Sequence, residues 1–462
     1  MLRFWISLFA AASAFAESAD LIVTARHVVT MDAERRVIEN GAVAVRGQRI
    51  AGVGTRADID RKFQAKARID AGKAIVTPGL INTHTHAAMS LFRGIADDLR
   101  LQEWLEKFIF PAEARNLTPE FVRWGTKLAC LEMLLSGTTT FTDMYYFEDE
   151  VAQATKECGM RGVLGQSVIG FPVPDAKNPP DALKRAEAFL KKYRGDPLIV
   201  PAIAPHAVYT TADEVLQASR KLANSYRAPL LIHVSETKKE IDDLQAKRNL
   251  TPVQLLEQLG VLEGRTVAAH GVWVNDADIA TLKAHGTGVA HCPSSNMKLA
   301  SGIAPLLKYL AAGVAVGLGT DGPAGSNNDF NLFEEMDLAA KLQKVASGDA
   351  TAIPAEQALA MATILGARAL GLDQEIGSLE PGKRADLIVI DASAAHATPL
   401  YNVYSQIVYA SKGSDVRHAV VNGRVVMRDR KVLTLDAAQV LAKAEEFQKA
   451  VSTSLKQESH LN

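Results

Sequence analysis

Eight short apolar runs, separated by stretches of helical composition, constrain this chain most. The runs are residues 75–86, 138–146, 162–169, 198–204, 229–234, 266–270, 288–291 and 315–318. They are rich in β-branched residues, as strands are. Between them lie amphipathic stretches rich in Ala, Leu, Lys and Glu, such as 119–135, 180–193, 212–224 and 251–259, which read as helices. Strands alternating with helices form parallel sheets, because each helix carries the chain back to start the next strand. Eight such units predict an α/β chain built on a (β/α)8 TIM-like barrel. An open doubly wound sheet is the alternative, but no Gly-x-Gly-x-x-Gly turn supports it.

The flanks have another style. Leu21-Ile22-Val23, Ala42-Val43-Ala44-Val45 and Arg49-Ile50-Ala51-Gly52-Val53 are short strands set among Gly and polar turns. The segments 377–390 and 416–426 resume the pattern after the barrel. Both chain ends are therefore expected to build one flanking β-sandwich domain. The expected organisation is a leader at 1–16, the N-terminal part of the β domain at 20–77, the barrel at 78–372, the C-terminal part of the β domain at 373–435, and a terminal helix (437–456) and tail within 436–462.

Composition narrows the function classes. At 462 residues the chain suits one large domain plus a satellite. Formal net charge is −1, so no field of one sign points to nucleic acid or an acidic membrane. The stretch Lys238-Lys239-Glu240-Ile241-Asp242-Asp243 mixes signs and reads as a solvated helix face. Cys130, Cys158 and Cys292 make neither a disulfide framework nor a Cys-x-x-Cys site, and Cys292 reads as a passive thiol. At the N-terminus, Arg3, an apolar run from Phe4 to Phe15, and Ala14-Phe15-Ala16 fit a secretory signal peptide cleaved before Glu17. That implies a periplasmic or secreted protein, or a cytoplasmic one if the true start lies elsewhere. The run is too short for a comfortable membrane span, and no later segment reads as one.

The chemistry sits at the ends of the predicted strands. In Pro78-Gly79-Leu80-Ile81-Asn82-Thr83-His84-Thr85-His86, two histidines one residue apart end the first strand. Residues i and i+2 of a strand face the same side, so both rings aim at one point. His206 ends the fourth strand, His233 the fifth, His270 the sixth and Asp321 the eighth. A single buried histidine is usually a packing residue. Five histidines and an aspartate at one barrel mouth, the face where such folds place their active sites, call for another explanation. Imidazole and carboxylate are ligands for zinc-like ions. His84, His86, His233 and Asp321 are the expected metal shell, with His206 and His270 behind it or against substrate. The remaining histidines lie in flanks or connections; His291 ends the seventh strand before a Cys-Pro loop and reads as a loop or packing residue.

At these residues the chain resembles the amidohydrolase superfamily, and within it the branch of 5-methylthioadenosine and S-adenosylhomocysteine deaminases. The resemblance runs from about Leu21 to Leu435. It rests on Pro78–His86, Phe92-Arg93-Gly94-Ile95-Ala96-Asp97-Asp98, Gln102-Glu103-Trp104-Leu105, Pro111-Ala112-Glu113, His233-Val234-Ser235-Glu236, Pro293-Ser294-Ser295-Asn296-Met297-Lys298-Leu299 and Gly319-Thr320-Asp321-Gly322. It implies one divalent ion, zinc or alternatively iron or manganese, on His84, His86, His233 and Asp321. It also implies Glu236 as the proton shuttle to a ring nitrogen and His270 as the group that orients water. Trp104 would pack on the substrate and Glu113 would bond the ribose hydroxyls. His206 and Ser326 would line the pocket. The implied partners are a small-molecule substrate and water, with no nucleic acid, and the implied assembly is a homo-oligomer.

Elementary chemistry agrees with these roles. A zinc-like ion lowers the pKa of bound water from 15.7 to about 7. Three histidines and one aspartate leave a position open for that water. A carboxylic acid at Glu236 could protonate the ring nitrogen and later the departing ammonia. Relatives that bind S-adenosylhomocysteine can hold its carboxylate with arginines near the third strand, yet 162–183 contains no Arg. Adenosine or 5-methylthioadenosine is therefore expected before S-adenosylhomocysteine. The alternatives are an amidohydrolase acting on another ring C–N bond (guanine, cytosine, triazine or cyclic amide) and a non-catalytic binding protein. Two-metal amidases of this kind use a carboxylated lysine on the fourth strand, and 199–204 has no lysine.

Overall fold

The computed structural model describes residues 16–459. The expected leader lies outside these residues except for Ala16, and His460 lies outside them as well. Eight parallel strands pair in sequence order: Leu80–Thr85, Thr138–Tyr145, Arg161–Val168, Ile199–Pro205, Leu230–Val234, Thr266–His270, Gly288–His291 and Val316–Leu318. The ring closes between the eighth and first strands, where a parallel bridge joins Thr85 to Asp321 and the Asp321 amide donates to the His84 carbonyl at 3.0 Å.

These strands are buried on both faces, which is why they read as nearly unbroken apolar runs. Ile81, Met144, Val163, Leu231 and Val267 point into the barrel, with Ala202, Ala204 and Ala290 supplying small volumes between them. Leu80, Phe141, Leu164, Ile203, Ile232 and Val289 point outward under the helices. Helix starts carry side-chain caps that satisfy orphan amides. Thr118 caps Pro119–Leu135, Asn178 caps Pro179–Lys192, and Thr251 with Gln254 forms a reciprocal capping box on Pro252–Gln258.

The first predicted strand is two strands. Ile75–Pro78 belongs to the flanking sheet, pairing antiparallel with Leu387–Ile390 and parallel with His27 and Val28. Leu80–Thr85 begins the barrel. The break has two causes. Pro78 has no amide to continue a ladder. Gly79 passes so close to Thr139 that a Cβ would sit 2.1 Å from its hydroxyl oxygen.

The flanking domain is a nine-stranded mixed sheet drawn from both chain ends. Its first strand, Glu17–Val29, pairs with Val37–Arg46 on one side and with Phe63–Asp70 and Ile75–Pro78 on the other. The sheet curls until Gln48 and Ile50 meet residues 382–385 by backbone hydrogen bonds. Inside the curl, Leu21, Val23, Val43, Val45, Leu387 and Val389 form a core separate from that of the barrel. One buried ion pair ties sheet to barrel: Arg161 Nε lies 3.0 Å from Asp386 Oδ2, and both side chains are almost fully enclosed. The terminal helix Ala437–Ser459 packs back on the barrel side, with Phe447 edge-on to Phe121 at 5.3 Å.

Candidate metal and active site

The strand ends bring the expected side chains together. The ligand atoms of His84, His233 and His270 lie within 4.8 Å of one another, and so do those of His84, His86 and Asp321. His84 is common to both groups, so the five side chains form one cluster at the barrel mouth. Asp321 Oδ1 is 3.3 Å from Nε2 of both His84 and His86.

The far sides of these rings are anchored. His86 Nδ1 lies 2.8 Å from the Met144 carbonyl, His233 Nδ1 lies 2.8 Å from the His206 carbonyl, and His270 Nδ1 lies 3.0 Å from Asn296 Oδ1. Facing an oxygen acceptor, each Nδ1 must carry the hydrogen, which leaves the Nε2 lone pair turned toward the cluster. His84 Nε2 is buried with no hydrogen-bond partner. An orphaned imidazole nitrogen on His84, among other inward-facing rings and beside an anchored carboxylate, fits a divalent ion well. Asp321 is anchored too, since Ser295 donates its hydroxyl to Oδ2 at 2.7 Å and the Gly322 amide donates to Oδ1 at 2.7 Å.

Electrostatics follows from burial and proximity. Burial holds His84 down to about 4 and His206 down to about 3, and pushes His233 well below the usual range. Burial resists ionisation of Asp321, but His84 and His86 outweigh it and hold the carboxyl far below the usual range. Burial pulls His86 down as well, yet Asp321 overrides it and raises the ring to about 9. Burial raises Glu236, whose Oε2 lies 3.8 Å from His270 Nε2.

A cavity opens over the cluster. His86, His206, His233, His270, Asp321 and Glu236 line its floor, and residues 101–113 form much of its roof. That roof includes Trp104–Ile109, wound as a π-helical turn, a geometry often found at functional sites. Trp104 faces the cavity and donates its indole N–H to the Ala324 carbonyl at 2.9 Å. Glu113 is buried in the cavity wall, its Oε1 accepting the Tyr145 hydroxyl at 2.6 Å, and burial raises its carboxyl to about 7. His206 lines the cavity with Nδ1 2.9 Å from the Thr210 hydroxyl.

One expected pocket residue is placed elsewhere. Ser326 is buried beneath the mouth, donates its hydroxyl to the Gly322 carbonyl at 2.7 Å, and is not among the cavity-lining residues. It braces the loop after Asp321. The mixed-charge stretch also needs correction. Lys238 and Lys239 do pair with Asp242 and Asp243 in solvent, but Glu240 between them is buried beneath Glu236. Cys292 is buried, and burial pushes its thiol well up, as suits a passive group. His291 is buried off the cavity. Tyr145 goes unmarked by the sequence, and Ser295 and Asn296 enter there only as part of a motif, without a role. The Pro-Ser-Ser-Asn motif held the signal for the last two.

The amidohydrolase family model matches residues 75–426. The chain belongs to the amidohydrolase family. This amidohydrolase is 45% identical over 441 residues to 5-methylthioadenosine/S-adenosylhomocysteine deaminase 1 of Syntrophus aciditrophicus, covering 96% of this chain and 99% of the relative. It is 46% identical over 429 residues to 5′-deoxyadenosine deaminase of Methanosarcina barkeri, covering 92% and 97%. Among solved structures it is similar to an adenosine deaminase from Xanthomonas campestris with bound zinc, at a TM-score of 0.92 and 39% identity, covering 95% of this chain and 100% of that one. Among the described residues, no helix of this amidohydrolase is long and apolar enough to cross a membrane.

Proposed function

We propose that this amidohydrolase is a hydrolytic deaminase of aminated purine nucleosides, taking adenosine and 5-methylthioadenosine before S-adenosylhomocysteine. The observation that carries the reading is the cluster itself. Inward-facing imidazoles and an anchored aspartate sit in one cavity with a buried glutamic acid, and the relatives named above are nucleoside deaminases. One divalent ion, zinc by the precedent of the similar adenosine deaminase, is assigned to His84, His86, His233 and Asp321. When bound, such an ion supplies the Lewis acidity that makes water a nucleophile at neutral pH.

The chain's own groups do the rest. Asp321, held ionised by its histidine neighbours, takes the proton of the attacking water. Glu236, whose carboxyl burial raises toward the protonated form, donates to the ring nitrogen as the amine-bearing carbon is attacked. His270, with Nε2 3.8 Å from Glu236 Oε2, orients the water. The carbon–nitrogen bond then breaks as Asp321 passes its proton to the amine, which leaves as ammonia, while the new hydroxyl returns its proton to Glu236 and a ring carbonyl remains. Trp104 packs on the base and Glu113 accepts from the ribose hydroxyls.

The preference among substrates rests on where the arginines lie. Arg161, just before the stretch without arginine, is committed to Asp386 at the bottom of the barrel. Arg248 lines a groove that adjoins the cavity through Leu105, Phe110 and Tyr209, but it is paired with Asp213 at 2.6 Å. A carboxylate on a long 5′ substituent would have to share that guanidinium with Asp213. The leader pattern extends the proposal to an exported enzyme, whose mature form would begin at Glu17 by intact mass. The mechanism is tested by Glu236→Gln. Metal content should stay at the wild-type level while kcat falls about 10²–10⁴-fold; an unchanged kcat removes the proton shuttle.

A further inference from the structure

Glu236 follows a turn that most residues avoid. Ser235 has φ of 54°, the left-handed region that L side chains rarely adopt. Strained backbone of this sort persists only where its surroundings over-determine it. Two sets of contacts do so. Above, the Ser235 carbonyl accepts the amides of Val272 at 3.0 Å and Trp273 at 2.8 Å, from the loop that leaves His270. Below, Glu240 reaches back with both carboxylate oxygens. The Ser235 amide donates to Oε1 at 3.1 Å, and the Glu236 amide donates to Oε2 at 2.8 Å.

Glu240 is 5% exposed, although its helix neighbours are solvated. Local sequence accounts for half of its behaviour. Thr237-Lys238-Lys239-Glu240 has the spacing of a helix capping box, and the Glu240 amide does donate to the Thr237 hydroxyl at 3.3 Å. A capping glutamate normally returns to the amide of the cap residue. This one extends further, to the two residues before it, one of which is Glu236. A carboxylate buried for a single helix cap would be a poor exchange for its lost hydration. A carboxylate that clamps a strained turn has a second use.

We propose that Glu240 is a positioning residue for the deamination. It holds the 235–236 turn in its left-handed form so that the Glu236 carboxyl faces His270 and the substrate ring. The inference rests on the proton-donor role proposed above for Glu236. Glu240 does not line the cavity; it acts through the backbone. Its removal should therefore lower kcat and leave KM alone.

The test is a double-mutant comparison on the zinc-loaded full chain with adenosine. Glu240→Gln replaces one acceptor oxygen with an NH2 group that cannot receive a backbone amide. Misplacing a reacting group by about 1 Å can cost about 10²-fold, so kcat should fall by about that factor, with KM and metal content close to wild type. In a Glu236→Gln background, where no proton donor remains to be aimed, Glu240→Gln should change kcat less than about twofold, the non-additivity expected of groups that act as a unit. If Glu240→Gln alone melts below the assay temperature, adding Ser235→Gly removes the cost of the positive φ, and the same comparison is made on that pair. An equal loss in both backgrounds, a loss in KM instead of kcat, or no loss overturns the proposal. A Glu236→Gln variant with wild-type kcat overturns the proton-donor role and this inference together. A normal loss for Glu236→Gln beside equal losses from Glu240→Gln overturns this inference alone.

Discussion

Glu113→Gln separates recognition of the sugar from chemistry on the base. In the wild type, Glu113 Oε1 accepts the Tyr145 hydroxyl at 2.6 Å, and the carboxyl is buried in the cavity wall. Glutamine can keep the tyrosine bond through its one carbonyl oxygen. Its NH2 group then stands where a carboxylate oxygen would accept a ribose hydroxyl. A hydrogen bond to a charged group contributes about 1.5–3 kcal/mol, so kcat/KM for adenosine should fall roughly 10- to 150-fold. Free adenine, which lacks the sugar, should change less than about twofold by the same reasoning. The pH dependence supplies a second reading. Burial raises the carboxyl to about 7, so the charged acceptor is present above that pH and lost below it. Wild-type preference for adenosine over adenine should therefore rise as pH increases through about 7, and Glu113→Gln should lose that rise. Steady-state kinetics on both substrates from pH 5.5 to 8.5 decides the matter. Equal losses on adenosine and adenine, or a surviving pH step in the variant, would refute the ribose contact.

Metal analysis of the purified chain should find one divalent ion per chain, and His233→Ala or Asp321→Ala should lose it; two ions per chain would contradict the assignment. Asp321 raises His86 to about 9, so a proton competes with the ion below that pH. Zinc affinity measured against a competing chelator should thus weaken as pH falls from 9 to 6, and a flat profile would contradict this. Asp386→Ala strands the buried Arg161 guanidinium between sheet and barrel. Breaking such a pair costs about 3–5 kcal/mol, which should appear as a marked fall in the urea midpoint with catalytic constants of the folded fraction unchanged. Gly79→Val should impair folding, because any Cβ there meets Thr139; soluble expression at wild-type yield would argue against that close crossing.

What was legible in the sequence was what local pattern encodes. Period-two geometry put His84 and His86 on one face, and both do meet Asp321. The ends of strands five and six delivered His233 and His270 to the same cluster. The break at Gly79 was half hidden: Pro78 signals it, but apolar residues continue on either side, and the crossing with Thr139 shows only in the fold. Glu240 was hidden for the opposite reason. Its neighbours are exposed and charged, and burial of one member of a charged run is a tertiary fact. Tyr145 lies on a strand that reads as core, and its hydroxyl gains a role only when the roof brings Glu113 to it. Ser326 shows the converse: a polar residue near Asp321 in sequence points into its own loop.

Ammonia release by the zinc-loaded chain tests the central claim most directly. The substrates are adenosine, 5-methylthioadenosine, S-adenosylhomocysteine, guanine, cytosine, an aminotriazine and a cyclic amide, each supplied alone and followed by ammonia assay and by mass of the product. The two small nucleosides should be turned over, S-adenosylhomocysteine more slowly, and in each product one amine should have become a carbonyl. Faster turnover of a free base, a triazine or a cyclic amide than of either nucleoside, or no ammonia from any substrate with metal bound, would contradict that claim.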